Sequence, residues 1–448
     1  VSTRLLVIVQ NLPVPFDRRV WLECTTLREA GYDVTVVCPQ GHGTEARQTV
    51  DGIRILAYRP YTPGGGALGF ALEYIWSFLA TAWLVARARR AGRFAVMQAC
   101  NPPDIFWPIA RWLRLRDRTR FVFDHHDLCP ELFESRFPGG SRLLHRGLLA
   151  LERATFRTAD RVISTNESYA RIARERGGVP ADRVDVVRTG PDPVRCAPVS
   201  PRPELRRGHL HLVAYVGVMG PQDGVDVVLA VAEEIIHRRG RHDVAFTLMG
   251  RGDCWWDLVA ERDQRDLADH VELPGRVSDA ELAAVLSTAD LGLSPDPLNP
   301  LNDLSTMNKT MEYMAFGLPV LAFDLVETRV SAGDAAAYAD PRCADPIGAY
   351  ADLLLALIDD PARRVGMGVV GMQRVEQSLA WSHQAPTYLR VYDELTGRQT
   401  TPSIERPVAH VEPVEEPAED VVVPIPRAAQ APHPAARRTR TRRSAGAR

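Results

Sequence analysis

The segment LSPDPLNPLNDLSTMNKTMEYMAFGLPVLAF holds the residues best suited to chemistry. A strand ends near Pro295, a polar loop follows, and a helix begins near Lys309 with Glu312 in its first turns. A carboxylate at that place accepts hydrogen bonds from two vicinal hydroxyls, as a ribose presents them. Asn308 and Lys309 stand at the positive end of the same helix, where free N–H groups and the helix dipole favour a phosphate. A Glu there also complements the dipole in many helices that bind nothing. Other turns point the same way: Gly217 in YVGVMG, Gly250, Arg251 and Gly252 in LMGRGD, and Gly275 in LPGRV each follow a strand and precede a helix. One such turn is weak evidence. Their recurrence in one half of the chain favours a nucleoside-diphosphate site beyond the carboxyl ends of parallel strands.

The elements that position these residues follow from the alternation of apolar runs. LLVIVQ, VTVVCP, IRILAY, FAVMQA, FVFDHHD, RVIST and RVDVV read as buried strands separated by amphipathic helices, the signature of stacked βαβ units. After the proline-rich stretch 191–203 the alternation resumes with LHLVAYVG, VAFTLMG, HVELPG, DLGLSPD and LPVLAF. The expected architecture is α/β, with two Rossmann-like domains facing a cleft. The first domain spans 1–200, the second spans 204–380, and a last helix follows at 381–396. A Pro/Ala/Arg-rich tail at 397–448, acidic and then basic, is expected to be disordered.

Composition excludes other classes. The 448 residues carry a net charge of −2, which is not that of a strongly basic nucleic-acid binder. Of the 54 basic residues a single one, Lys309, is a lysine. Seven dispersed cysteines without C-x-x-C spacing suggest free thiols in a reducing compartment, with neither disulfides nor zinc. The short apolar run at the N-terminus fits a strand better than a signal peptide, so a cytoplasmic location is expected. Tyr74–Ala86 is too short to cross a bilayer, which takes about 20 residues. Its aromatics and basic exit (Arg87, Arg89, Arg90), with the arginines between Arg111 and Arg120, suit an anionic membrane surface; the alternative is a core helix beside a solvated Arg-rich face.

Glu312 followed by YMAFGLPV, with Gly217, the LMGRGD turn and HVELPGRVSDAELAAVLSTADLGLSP in order, resembles the retaining glycosyltransferases of family 4, which have the GT-B fold. The resemblance covers about residues 4–396, and N-K-x-x-E-Y is similar to a branch found among cell-surface polysaccharide enzymes. It implies an N-terminal acceptor domain, a C-terminal donor domain, a last helix at 381–396 that crosses back to the first, and transfer of a sugar from a nucleotide sugar with retained anomeric configuration, without a bound metal or cofactor. The expected donor is a UDP- or GDP-sugar and the expected acceptor a lipid-linked or polysaccharide one, at the inner face of the plasma membrane. The resemblance also implies that Glu312 holds the donor ribose and that a histidine of FDHHD lies near the transferred sugar. Strand alternation turns one of His125 and His126 to the cleft; His126, paired with Asp127, is the choice. The loop NLPVPFDRR (Asn11, Asp17, Arg18, Arg19) borders the same cleft, or Asp17 and the Arg pair form surface salt bridges.

Two departures stand out. Eight residues before Glu312, where the family carries an acid, lies Leu304, flanked by Asp303 and Ser305. In GVMGPQDGVD, Val218 and Asp223 replace the family's Arg and Lys. Lys309 and Arg251 are the expected substitutes for that charge. A nucleotide-sugar epimerase or hydrolase, and a non-catalytic binding subunit, are the alternative readings.

Overall fold

The computed structural model describes residues 2–41, 44–61, 66–137 and 139–398. The predicted disordered tail lies outside them, except for Gly397 and Arg398.

The first sheet contains β1 (Arg4–Ile8), β2 (Asp33–Pro39), β3 (Arg47–Val50), β4 (Ile53–Tyr58), β5 (Val96–Cys100), β6 (Arg120–His125), β7 (Arg161–Ser164) and β8 (Val184–Val186), in the order β3-β4-β2-β1-β5-β6-β7-β8. All pairings are parallel except β3 against β4. The second sheet contains β9 (His211–Val216), β10 (Val244–Met249), β11 (Val271–Gly275), β12 (Leu291–Ser294), β13 (Val320–Phe323) and β14 (Ala336–Ala339), all parallel, in the order β11-β10-β9-β12-β13-β14. Helices α1 (Arg18–Glu29), α2 (Gly66–Ala88), α3 (Trp107–Asp117), α4 (Cys129–Arg136), α5 (Arg142–Thr158) and α6 (Glu167–Glu175) belong to the first domain. The second carries α7 (Val225–Glu233), α8 (Trp255–Gln264), α9 (Asp279–Thr288), α10 (Pro300–Leu304), α11 (Asn308–Ala315), α12 (Val326–Ala332), α13 (Pro346–Ile358) and α14 (Pro361–Arg374), and α15 (Trp381–Thr396) follows.

Two Rossmann-like domains are thus present, as the alternation predicts. Strands such as LLVI and VAFTLM are buried at every position because helices cover both sheet faces. The edge strands β3, RQTV, which lacks an apolar face, and β14, AAYA, lie outside the runs read as strands. Helix α7 runs on into a π-helical turn at Glu234–Arg238. The crossing helix α15 packs Trp381, Tyr388 and Tyr392 into the core of the first domain, and the Trp381 indole donates to Thr26 Oγ1 at 2.9 Å.

Strand order reverses beside β1, which lies between β2 and β5, and beside β9, which lies between β10 and β12. Such switch points open a crevice at the carboxyl ends of the strands. The loops leaving β1, β6, β9 and β12 carry the residues singled out above.

Candidate functional site

On the C-terminal side the turns after β9 and β10 lie against each other. Gly217 N donates to Met249 O at 3.1 Å. Gly250 has a φ of 140°, and a Cβ there would sit 1.8 Å from Gly217 O. Backbone therefore forms this wall, with Val218 exposed at its rim. The Arg251 guanidinium stacks 4.6 Å above the Trp255 ring, beside Gly252.

Lys309 differs from the expected unshared cation. Its ammonium is buried 2.5 Å from Asp296 Oδ1 and 5.4 Å from the Tyr215 ring, below Gly217. Asp296 also accepts from Ser294 Oγ at 2.5 Å. Asp223 adds a second acid nearby: burial pushes its carboxyl up to about 6, against the pull of Lys309 and the hydrogen bond from Gly220 N. Lys309 is thus compensated by local carboxylates. Sequence reading missed Asp296, whose signal is its position just after β12.

Asn308 is exposed at the start of α11. Glu312, one turn on, faces the cleft and accepts from Arg18 Nη1 of the N-terminal domain at 3.1 Å. Arg18 also lies 3.4 Å from Asp279, which Arg195 holds with two hydrogen bonds of 2.6 and 2.5 Å. Ser305 does not join this group. Its hydroxyl bonds Leu301 O at 2.7 Å and Tyr169 Oη at 2.8 Å, joining the polar loop to the other domain. Asp303 accepts from Val326 N at 3.0 Å and so caps α12. The same loop folds into the short helix α10, whose Leu301 packs on Leu128 and Tyr169.

On the N-terminal side, β6 delivers His126 to the cleft, while the ring of His125 is buried among Phe123, Phe156 and Tyr169. The expected pairing of His126 with Asp127 is corrected: Nδ1 of His126 lies 3.0 Å from Asp124 Oδ2. Asp127 instead accepts from its neighbour Leu128 N at 2.8 Å, and Asn101 pins the turn by accepting from the His126 and Asp127 amides. Burial disfavours the His126 imidazolium, but the Asp124 carboxylate overcomes this and raises its pKa. Asp124, fully buried, binds Arg19 through both oxygens at 2.8 and 3.3 Å; Arg19 and His126 outweigh the burial and hold it well below the carboxylate range.

The network continues inward. Arg19 lies 3.1 Å from Glu23, Gln98 donates to Glu23 at 2.7 Å, and Tyr388 of α15 donates to Gln98 at 2.8 Å. Arg19 is therefore no surface salt bridge. Asp17 caps α1 by accepting from Val20 N at 3.0 Å. Among the described residues, Cys100, Asp124 and His126 are the one group with metal-ligand spacing. The donor set fits a cation poorly, because Arg19 occupies both oxygens of its central carboxylate.

The face of the N-terminal domain formed by α2 and α3 is apolar and basic. Leu72, Ile75, Trp76, Leu79 and Trp83, spaced by three and four, form an exposed stripe on α2, and Trp112 and Leu115 of α3 are exposed too. The basic set is smaller than its count suggests. Arg89 is held by Asp117 at 2.5 and 2.6 Å, and Arg114 and Arg120 share Asp160. Among the described residues no helix is long and apolar enough to cross a membrane.

Comparison with known proteins connects this cleft to chemistry. Residues 17–190 match the family described as glycosyl transferase 4-like domain, and residues 211–360 match glycosyl transferases group 1. The chain belongs to the GT-B glycosyltransferases. A phosphatidyl-myo-inositol mannosyltransferase of Mycolicibacterium smegmatis is 31% identical over 179 residues, which are 40% of this chain and 43% of that protein. The chain thus spans less than half the length of this relative. Sucrose-phosphate synthase from Thermosynechococcus elongatus shares the fold with a TM-score of 0.69 at 16% identity, over 88% of this chain and all of that one. Anabaena HepE in complex with UDP-glucose superposes with a TM-score of 0.62 at 14% identity, again over 88% and 100%. As a family member this GT-B chain brings each domain's switch-point loops to one cleft.

Proposed function

We propose that this GT-B chain transfers a sugar from a nucleoside-diphosphate sugar to a lipid-linked or polysaccharide acceptor, with retained anomeric configuration. The observation that carries the reading is Glu312, a carboxylate at the cleft end of α11, facing the cleft beside the glycine wall at Gly217 and Gly250–Gly252. In this reading Glu312 accepts from the ribose hydroxyls, while the main chain at Val218 and Gly252, shaped by Gly217, and the start of α11 at Asn308 receive the diphosphate. Lys309, tied to Asp296, supports that wall from below. Similarity to a UDP-glucose complex and to a phosphatidylinositol mannosyltransferase supports a sugar nucleotide and a lipid-linked acceptor.

His126, held by Asp124, orients acceptor hydroxyls and stabilises charge near the transferred sugar. The acceptor oxygen bonds to the anomeric carbon as the bond to the diphosphate oxygen breaks. The electron pair stays on that oxygen, which takes the acceptor proton. The α2–α3 face, with Arg87, Arg90 and Arg111 at its margin, presents the domain to an anionic membrane on the cytoplasmic side.

Incubation with UDP- and GDP-sugars tests the reading. A donor that raises the melting temperature and yields a glycosylated product only when acceptor is added supports it. Sugar release or epimerisation without acceptor favours the hydrolase or epimerase reading, and no nucleotide binding favours a non-catalytic subunit. Sedimentation with anionic vesicles tests the membrane face; equal recovery with neutral vesicles counts against it.

A further inference from the structure

A departing diphosphate accumulates negative charge, and a preorganised donor aimed at it is worth about 10²–10³ in rate. On the C-terminal wall, the turn after β9 and the start of α11 supply little net positive charge for that step. Val218 is neutral, Asp223 is acidic, and Lys309 is compensated by Asp296. Arg251 lies over Trp255 and Trp256.

Across the cleft, Arg18 stands at the first position of α1, between Asp17, which caps the helix, and Arg19, which is anchored on Asp124. Its backbone is therefore fixed while its side chain remains 45% exposed. The guanidinium reaches Glu312 at 3.1 Å, the carboxylate assigned above to the donor ribose. Ribose and Arg18 thus compete for one acceptor. Arg18 leaves it at small cost, because its second partner, Asp279, keeps two hydrogen bonds from Arg195.

We propose that Arg18 is a donor-exchanged cation: it occupies Glu312 in the empty cleft, is displaced by the ribose hydroxyls, and moves onto the diphosphate of the same ligand. The proposal rests on the reading of Glu312 as the ribose carboxylate. Arg18 then supplies, from the opposite domain, the positive charge that Val218 and Asp223 do not. Its guanidinium suits the task, since it binds carboxylate and phosphate alike through paired N–H groups. Donor entry thereby exchanges one bridge between the domains for another through the ligand.

Calorimetric titration of uridine, UDP, guanosine and GDP into the wild-type chain, Arg18→Ala and Glu312→Ala tests this. Arg18→Ala is expected to bind the nucleoside several-fold tighter, because Glu312 is vacant. It is expected to bind the matching diphosphate about tenfold weaker, because a charge-assisted contact is lost. Arg18→Lys restores part of the diphosphate affinity. Tighter binding of both ligands by Arg18→Ala would make Arg18 only a lock and overturn the exchange, as would no change in either. Should Glu312→Ala leave nucleoside affinity unaltered, or the wild type bind neither diphosphate, the ribose reading itself fails. Loss of nucleoside binding in Glu312→Ala without the opposed shifts in Arg18→Ala sinks the Arg18 proposal alone.

Discussion

On the N-terminal wall of the cleft the polar groups are side chains locked into a buried network that runs from His126 through Asp124, Arg19, Glu23 and Gln98 to Tyr388. On the C-terminal wall they are main-chain turns, one helix start and a carboxylate whose ion-pair partner comes from the other domain. A buried network is rigid, and its members depend on one another for stability as well as position. A wall of glycine turns offers N–H groups to an anion at no cost in side-chain ordering. The first wall is therefore expected to couple folding to activity, and the second to separate them.

The sharpest break of this contrast is Asp124→Ala, which leaves the buried Arg19 guanidinium without its main partner. A loss of about 3–5 kcal/mol is expected, read from urea unfolding. Glu312→Ala on the opposite wall is expected to leave the unfolding curve near wild type while lowering transfer by about 10²–10³, an effect of the size seen when one preorganised polar group is removed. Equal stability losses in the two variants would erase the distinction between the walls.

A smaller effect depends on pH. Asp124 raises the His126 pKa in the folded chain, so the stability of this pair is fully present below the unfolded value near 6.5 and is lost as pH rises through the raised folded value. The stability gap between wild type and His126→Gln is therefore expected to shrink from pH 6 to pH 9. A gap that stays constant would show that the pairing is not ionic.

The smallest effect concerns Glu23, whose carboxyl is pushed up to about 8, first by burial and then by Asp124, against Arg19. Its folded value lies above the unfolded one, so its contribution is present below about 4.5 and fades as pH rises through 8. Glu23→Gln is expected to match wild type within about 1 kcal/mol at pH 4.5 and to exceed it by a margin that grows between pH 4.5 and pH 8. Urea midpoints across that range check this, and a large loss at pH 6 would show that Glu23 is ionised there.

The sheet strands were legible because both faces of each sheet are covered, which leaves long apolar runs in the chain. β3 and β14 were not, since RQTV at one edge needs no apolar face and AAYA at the other is mostly alanine, a weak strand former. Glu312 and the glycine turns stand out by type and place. The partner of His126 was misread through adjacency in sequence: residues two apart on a strand share a face, so Asp124 reaches the ring and Asp127 does not. The neutralisation of Lys309 by Asp296 was hidden because they lie thirteen positions apart, across a loop and a short helix. The contact between Arg18 and Glu312 joins distant segments through domain packing, which no local pattern encodes.

The crossing helix α15 has a consequence during synthesis. Trp381, Tyr388 and Tyr392 complete the core of a domain whose other strands are finished by residue 186. On a ribosome adding about 5–20 residues per second, the first domain waits on the order of ten to forty seconds for its last piece. The second domain is made and folds within that interval. The Gln98 side chain and the Thr26 hydroxyl, bonded to α15 in the finished chain, are without those partners until it emerges. A nascent chain halted at residue 380 is therefore the species most in need of a chaperone.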